Sequence, residues 1–176
     1  MSSIVVAGDT SGSVTLQAPA VAGSTVLTLP AVSGTVMVNG PAFSAYATAN
    51  QAIPSNSYTK IQLPFELFDT NNNFDSTTNY RFTPTVAGYY QINAGVATTT
   101  TGTFLVSIGK NSAEVIRGNQ ILGDVAARLG IVSSIIQMNG STDYIELFFF
   151  QTAPTSQNTV GGAGTVYMNG FLARSA

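Results

Sequence analysis

The stretch "TPTVAGYYQINAGV", residues 83–96, decides the class of fold. Pro84 fixes one corner of a turn and cannot sit in a central ladder, and Gly88 closes that turn. From there Tyr90, Ile92, Ala94 and Val96 point one way and Tyr89, Gln91 and Asn93 the other, the period-two pattern of a strand with one face buried. The same rhythm recurs along the chain. "YTKIQL" (58–63), "TFLVSIG" (103–109), "RLGIVSSIIQM" (128–138), "DYIELFFFQ" (143–151) and "GTVYMNGFL" (164–172) are β-branched or aromatic runs bounded by Gly, Asn, Asp and Pro. No stretch keeps helical periodicity over three turns with caps, so the expected fold is all-β, a sandwich.

Composition narrows the function. Hydrophobic residues make up 44% of the 176 and charged residues 8%, against roughly 25% charged in an ordinary soluble domain. A chain so poor in charge is expected to hide its apolar faces in an oligomer or against something larger. The net charge of -2 offers no basic field for nucleic acid. With no Cys there is no thiol chemistry. With no His the commonest general base and zinc ligand is missing, so an enzyme is not expected and no cofactor is implied. No apolar run reaches the ~20 residues of a spanning helix. "MSSIVVAGDTSG" lacks the basic start of a signal peptide and reads as the native start of a mature chain.

Residues 1–40 differ in texture from the rest. "PAVAG" (19–23) and "PAVSG" (30–34) repeat eleven residues apart, each after a short alternating run, "VTLQA" (14–18) and "TVLTL" (25–29). Hairpin-scale units cannot bury a face alone. The segment is therefore expected to be a β arm covered by neighbours, with Leu16, Pro19, Val21, Leu27, Leu29, Pro30 and Val32 as its attachment residues. An extra strand pair of the main sandwich is the other way to cover it. The boundary is expected near Asn39-Gly40-Pro41, leaving 41–176 as a globular head.

The head resembles the globular domains of complement-type and tumour-necrosis-factor-like proteins. "PAFSAYA" (41–47) is similar to their opening strand. In "FELFDTNNNFDSTTNYRFTPTVAGYYQINA" (65–94), Phe65, Asn71, Phe74, Phe82, Gly88 and Tyr90 take the family's places, while Ile92 and Ala94 replace its final aromatics. "FLVSIGKNSAEV" resembles the middle hairpin and "YMNGFLA" the closing strand, with Asn169 in a Ser place. The resemblance implies a ten-strand jelly roll and a homotrimer about an aromatic and aliphatic axis, with Phe43, Tyr90, Ile92, Phe148, Phe150 and Phe171 as core or trimer residues. The consecutive "LFFF" (147–150) agrees, because such a run requires both faces of a strand to be covered. The arm is similar to Ala-Pro-Gly-rich modules of bacteriophage fibres and head-surface proteins.

Four side chains have metal-ligand spacing: Asp69, Asn71, Asn73 and Asp75 alternate as in a calcium loop. An EF-hand would need Gly where Phe74 stands and Glu where Tyr80 stands, so turn formation is the stronger expectation. Asp143 and Glu146, three apart on a strand, face opposite sides and read as surface charges rather than a glycosidase pair. "NGS" (139–141) reads as a hairpin turn. Lys110-Asn111 and residues 152–164 read as exposed loops, where contacts with a host sugar or protein would concentrate. Tyr46, Tyr58, Tyr80 and Tyr144 are candidates for stacking on a sugar, with packing the commoner fate.

These observations lead to a bacteriophage virion-surface protein: a trimeric capsid decoration protein whose arm docks on the major capsid protein or another virion protein. The alternative is a receptor-binding knob at a tail-fibre tip, ranked lower because no long stalk precedes it in this sequence. No membrane or nucleic-acid partner is expected.

Overall fold

The computed structural model describes residues 3–7, 10–17, 24, 40–124 and 126–176. The chain divides into two compact units, Met1–Thr35 and Val36–Ala176.

In the first unit, β1 (Ser3–Ala7) pairs antiparallel with β2 (Ser13–Gln17), from Ser3 opposite Gln17 to Ala7 opposite Ser13. Gly12, just before β2, takes φ 77°, a left-handed conformation that glycine adopts without steric cost. The strand "VTLQ" thus finds its partner in "SIVVA" upstream, a β-branched run that signals a strand in its own right. The second repeat lies outside the described residues, as do Pro19, Val21, Leu27, Leu29, Pro30 and Val32.

The second unit is an antiparallel sandwich. One sheet has five strands in the order β13 (Arg128–Met138), β9 (Gly88–Thr98), β16 (Val166–Ser175), β3 (Ala42–Tyr46), β6 (Phe65–Asp69). The other runs β11 (Ala113–Arg117), β10 (Thr103–Lys110), β14 (Ile145–Gln151), β8 (Arg81–Phe82), β7 (Phe74–Asp75). Two short strands complete it to seven, β12 (Ile121–Leu122) on β10 and β5 (Thr59–Lys60) on β14. Outside both sheets, β4 (Ala52–Ile53) pairs with β15 (Gln157–Asn158). The head therefore contains fourteen strands among its described residues, more than the ten expected, because connecting segments pair over two residues at a time.

The alternation of residues 90–96 does what the sequence suggests. Tyr90, Ile92, Ala94 and Val96 are buried between the sheets with Phe43, Phe82, Phe104, Val106, Ile108, Leu147, Phe149 and Met168. Phe82 stacks on Phe43 with centroids 4.2 Å apart and meets Tyr90 edge-on at 5.6 Å. The Tyr90 hydroxyl donates to the Val86 carbonyl at 2.7 Å, so the phenol is buried without an orphaned polar atom. That burial pushes its pKa up to about 12. Gly88 is needed where β9 starts: a Cβ there would lie 2.4 Å from the Arg174 carbonyl oxygen.

Two expectations about connections are corrected. Residues 58–63 bury Ile61 and Leu63 alternately, yet only Thr59 and Lys60 form a ladder. The turn at Asn139-Gly140 is not a hairpin: β13 and β14 belong to different sheets, and the turn carries the chain across the sandwich. Asn139 Oδ1 accepts from the amides of Ser141, Thr142 and Asp143, and Gly140 takes φ 70°. Such Asx geometry reverses a chain whichever sheet receives the next strand.

The head's first and last strands lie side by side. Ala42 pairs with Phe171, and the Leu172 amide bonds the Pro41 carbonyl at 2.9 Å. The chain enters and leaves the head at one pole, beside the 139–143 turn. Residues 47–52, 98–103 and 159–165 form the opposite pole, tied by bonds such as Gly162 N to Ala47 O at 2.8 Å.

Candidate functional site

The five-stranded sheet turns one face to the core, and no described element of this unit covers the other. By strand parity and register the uncovered face presents Leu129, Ile131 and Ile135 from β13, Tyr89 from β9, Tyr167 and Phe171 from β16, Tyr46 from β3, and Phe65 and Phe68 from β6. Ile131 is 52% exposed, Ile135 59% and Phe171 50%. A polar stripe crosses the middle. Gln91 Nε2 donates to Ser133 Oγ at 2.9 Å, Ser133 Oγ to Asn93 Oδ1 at 2.7 Å, and Asn93 Nδ2 to Asn169 Oδ1 at 3.1 Å. Among the described residues, register places one charged side chain on this face, Arg174 at the rim opposite Tyr89. An apolar, nearly uncharged sheet face with a satisfied polar centre has the composition of an interface core.

The six residues expected in core or trimer separate into three environments. Phe43, Tyr90 and Ile92 are fully inside the sandwich. Phe171 lies on the uncovered face. Phe148 and Phe150 are half-buried on the outer face of the seven-stranded sheet, so the "LFFF" run is covered on that side only in part, chiefly by Tyr58, whose ring lies 4.9 Å from Phe150. Of the arm residues, Leu16 is in β2. Ile4, Val5 and Val6 of β1 are 58–65% exposed in succession, so both faces of that hairpin present apolar side chains.

The four alternating Asx residues form turns. Asp69 accepts from the amides of Asn71 and Phe74, the latter at 2.6 Å. Asp75 accepts from the amides of Thr77, Thr78 and Asn79 and from Asn79 Nδ2 at 2.7 Å. These bonds, the one from Thr78 foremost, hold its carboxyl well below the usual carboxylate range. Asn73 bonds the Asn71 carbonyl through Nδ2 and accepts from the Thr85 amide. The carboxylate oxygens thus close their own loop, and the described residues hold no group of three or more His, Cys, Asp or Glu side chains able to hold a metal ion.

The reading of Glu146 as a surface charge is corrected. Glu146 is 3% exposed and pairs with Lys60 Nζ at 3.0 Å, because β5 lays Lys60 alongside β14. Asp143 precedes β14 and pairs with Lys110 at 2.8 Å and with Asn111 Nδ2 at 2.8 Å; these two bonds hold its carboxyl low. Residues 152–164 are not simply an exposed loop, since they contain β15 and bury Ala153 and Thr159. Three of the four tyrosines have neighbours that fix them. Tyr46 stacks on Phe65 at 5.5 Å, Tyr144 lies 4.3 Å beneath the Arg81 guanidinium, and Tyr58 accepts from Arg117 at 2.8 Å. Tyr80 is half-buried at φ 49°.

No protein-family model matches the chain, nor does any curated protein. Solved structures share its fold. The globular domain of zebrafish complement 1qA is 18% identical with a TM-score of 0.55, covering 77% of this chain and 99% of that one. Murine APRIL is 7% identical with a TM-score of 0.59, covering 76% and 99%. The vertex protein P5 of phage PRD1 is 16% identical with a TM-score of 0.55, covering 75% and 96%. At these identities the likeness is one of architecture: the chain carries an all-β jelly roll of the tumour-necrosis-factor and complement type.

Proposed function

We propose that the chain is a homotrimeric structural protein of a bacteriophage virion, a capsid decoration protein whose arm docks on the shell and whose head projects outward. The observation that carries the reading is the uncovered face of the five-stranded sheet, apolar and almost free of charge. A second copy of the chain is its natural cover, and a head-to-tail contact whose rotation closes makes a ring. Trimers suit the local threefold positions of an icosahedral lattice. The exposed Ile4, Val5 and Val6 support the arm as an attachment element, and the likeness to a phage vertex protein supports the virion setting.

Two measurements test this. Quantitative mass spectrometry of virions is expected to find hundreds of copies; fewer than about 40 would overturn decoration and favour the second reading, a receptor-binding knob on a tail fibre. The observation favouring that alternative is the cluster of tied loops at the pole opposite the head's ends. Deleting residues 1–40 is expected to leave a trimeric head that no longer binds capsids.

A further inference from the structure

A hollow of about 270 Å³ lies on the outer face of the seven-stranded sheet, lined by Tyr58, Ser112, Glu114, Arg117 and Phe148. It is on the opposite side of the sandwich from the uncovered face of the five-stranded sheet. Its floor depends on a glycine within a strand. A Cβ on Gly109 would lie 2.4 Å from Cε2 of Phe148, so only glycine leaves room for that ring. The ladder between β10 and β11 also shifts register at Ile108/Gly109, a bulge of the sort that re-aims side chains beside sites.

The walls supply matched hydrogen-bonding groups. Arg117 donates through Nε to Glu114 Oε1 at 2.9 Å and through Nη2 to the Tyr58 hydroxyl at 2.8 Å. Burial pushes the Glu114 carboxyl up, but interactions with the Arg117, Tyr58 and Ser107 side chains outweigh it and keep the group ionised at neutral pH. Guanidinium and carboxylate therefore neutralise each other and leave no net charge for an ionic ligand. Ser107 is fully buried beneath the Glu114 carboxylate with which it interacts. Register places it between Phe148 and Arg117 on the face that forms the hollow. Ser112 stands on the rim at φ 65°, its Oγ 3.0 Å from the Tyr144 hydroxyl.

We propose that this hollow binds a neutral pyranose sugar. Tyr58, 44% exposed, and the half-buried Phe148 give the hollow apolar surface suited to the C–H face of the ring, and the neutral Glu114–Arg117 pair supplies an acceptor beside a donor, as a pair of adjacent hydroxyls requires. The volume suits one ring rather than a peptide or an extended chain. The inference rests on the virion-surface reading only for the source of the sugar, a host-surface glycan; the chemistry of the hollow stands without it.

The test is saturation-transfer NMR on the full chain with the methyl pyranosides of glucose, galactose, mannose and N-acetylglucosamine. At least one is expected to bind in the millimolar range and to receive saturation at its ring C–H protons. Arg117→Ala and Tyr58→Ala are each expected to weaken it about tenfold or more, while Glu66→Gln, on another surface, leaves it unchanged. The Arg117 side chain is 55% exposed, so its variant keeps the fold if Tyr58→Ala does not. Absence of saturation for all four sugars at about 20 mM, or binding undiminished in Arg117→Ala, overturns the proposal. Sedimentation of the same samples reports the trimer separately, so failure of one reading does not pass for failure of the other.

Discussion

Replacing Ile131 by Asp puts the oligomer to its most direct test. Ile131 is 52% exposed in the single chain and pairs with Gly95 on the uncovered face. The surface at stake follows from its neighbours. Leu129, Ile131, Ile135, Tyr89, Phe65, Phe68 and Phe171 are 40–59% exposed. With ~200 Å² on a large side chain, each leaves about 100 Å² uncovered, or about 700 Å² in all. That exceeds the largest apolar patch of an ordinary monomer and approaches the ~800 Å² per partner of a stable interface. At ~25 cal/mol per Å² its burial is worth at most about 17 kcal/mol per copy, above the ~4–15 kcal/mol lost in association. An Asp at 131 would carry an unpaired carboxylate into that contact, at about 3 kcal/mol per copy and about 9 kcal/mol for three. Analytical ultracentrifugation at micromolar concentration should show the parent chain at three times the mass of one chain and Ile131→Asp at the mass of one, with circular dichroism unchanged. Leu122→Asp, at a 75% exposed position of the other sheet, should remain trimeric. A monomeric parent chain, or an Ile131→Asp variant sedimenting as the parent does, refutes the reasoning.

Phe82→Ala removes a fully buried ring from between Phe43 and Tyr90 and should destabilise the head by about 3–5 kcal/mol in urea unfolding; a loss under about 1 kcal/mol would mean that the site collapses around the gap. Lys60→Met leaves the buried Glu146 carboxylate without its ion pair and should cost about 3 kcal/mol, while the double variant with Glu146→Leu should recover most of it. Acid should weaken the 69–79 loop. The Asp75 carboxyl sits below its ordinary 3.8 when folded, so its contribution is present above that value and disappears as pH falls through the folded pKa. Melting temperatures of the parent chain and Asp75→Asn, followed from about pH 5 to about pH 2, should therefore converge at the acid end; parallel curves would remove Asp75 from the acid response.

Residues 88–98, 128–138 and 166–175 were legible because each long strand carries its own alternation and is bounded by its own turn chemistry. The two-residue strands at 74–75, 121–122 and 157–158 carry no such period. They pair because distant segments pass alongside, which no local window records. Asn139-Gly140 shows the same limit: a turn dictates a reversal, while the sheet that takes the next strand depends on where apolar faces find cover. Glu146 reads as surface because its strand parity points outward, and its ion-pair partner Lys60 stands 86 positions away in sequence. The uncovered sheet face was partly visible, since low overall charge foretold an apolar surface. The hollow beneath Tyr58 was not, because it combines a mid-strand glycine with side chains such as Tyr58 and Arg117, 59 residues apart in sequence. Tyr58 was singled out, but its partners Arg117 and Glu114 only become neighbours through the β10–β11 hairpin and the placement of β5.

Pairing of Ala42 with Phe171 also governs what the head can be joined to. A domain whose two ends emerge together behaves as a cassette: it can be inserted into a loop of a carrier without threading the carrier's chain around it. A peptide fused after Ala176 would emerge at the pole where the head begins, not at the pole of residues 47–52 and 159–165. Anyone wishing to display cargo at that distant pole would have to open one of its loops.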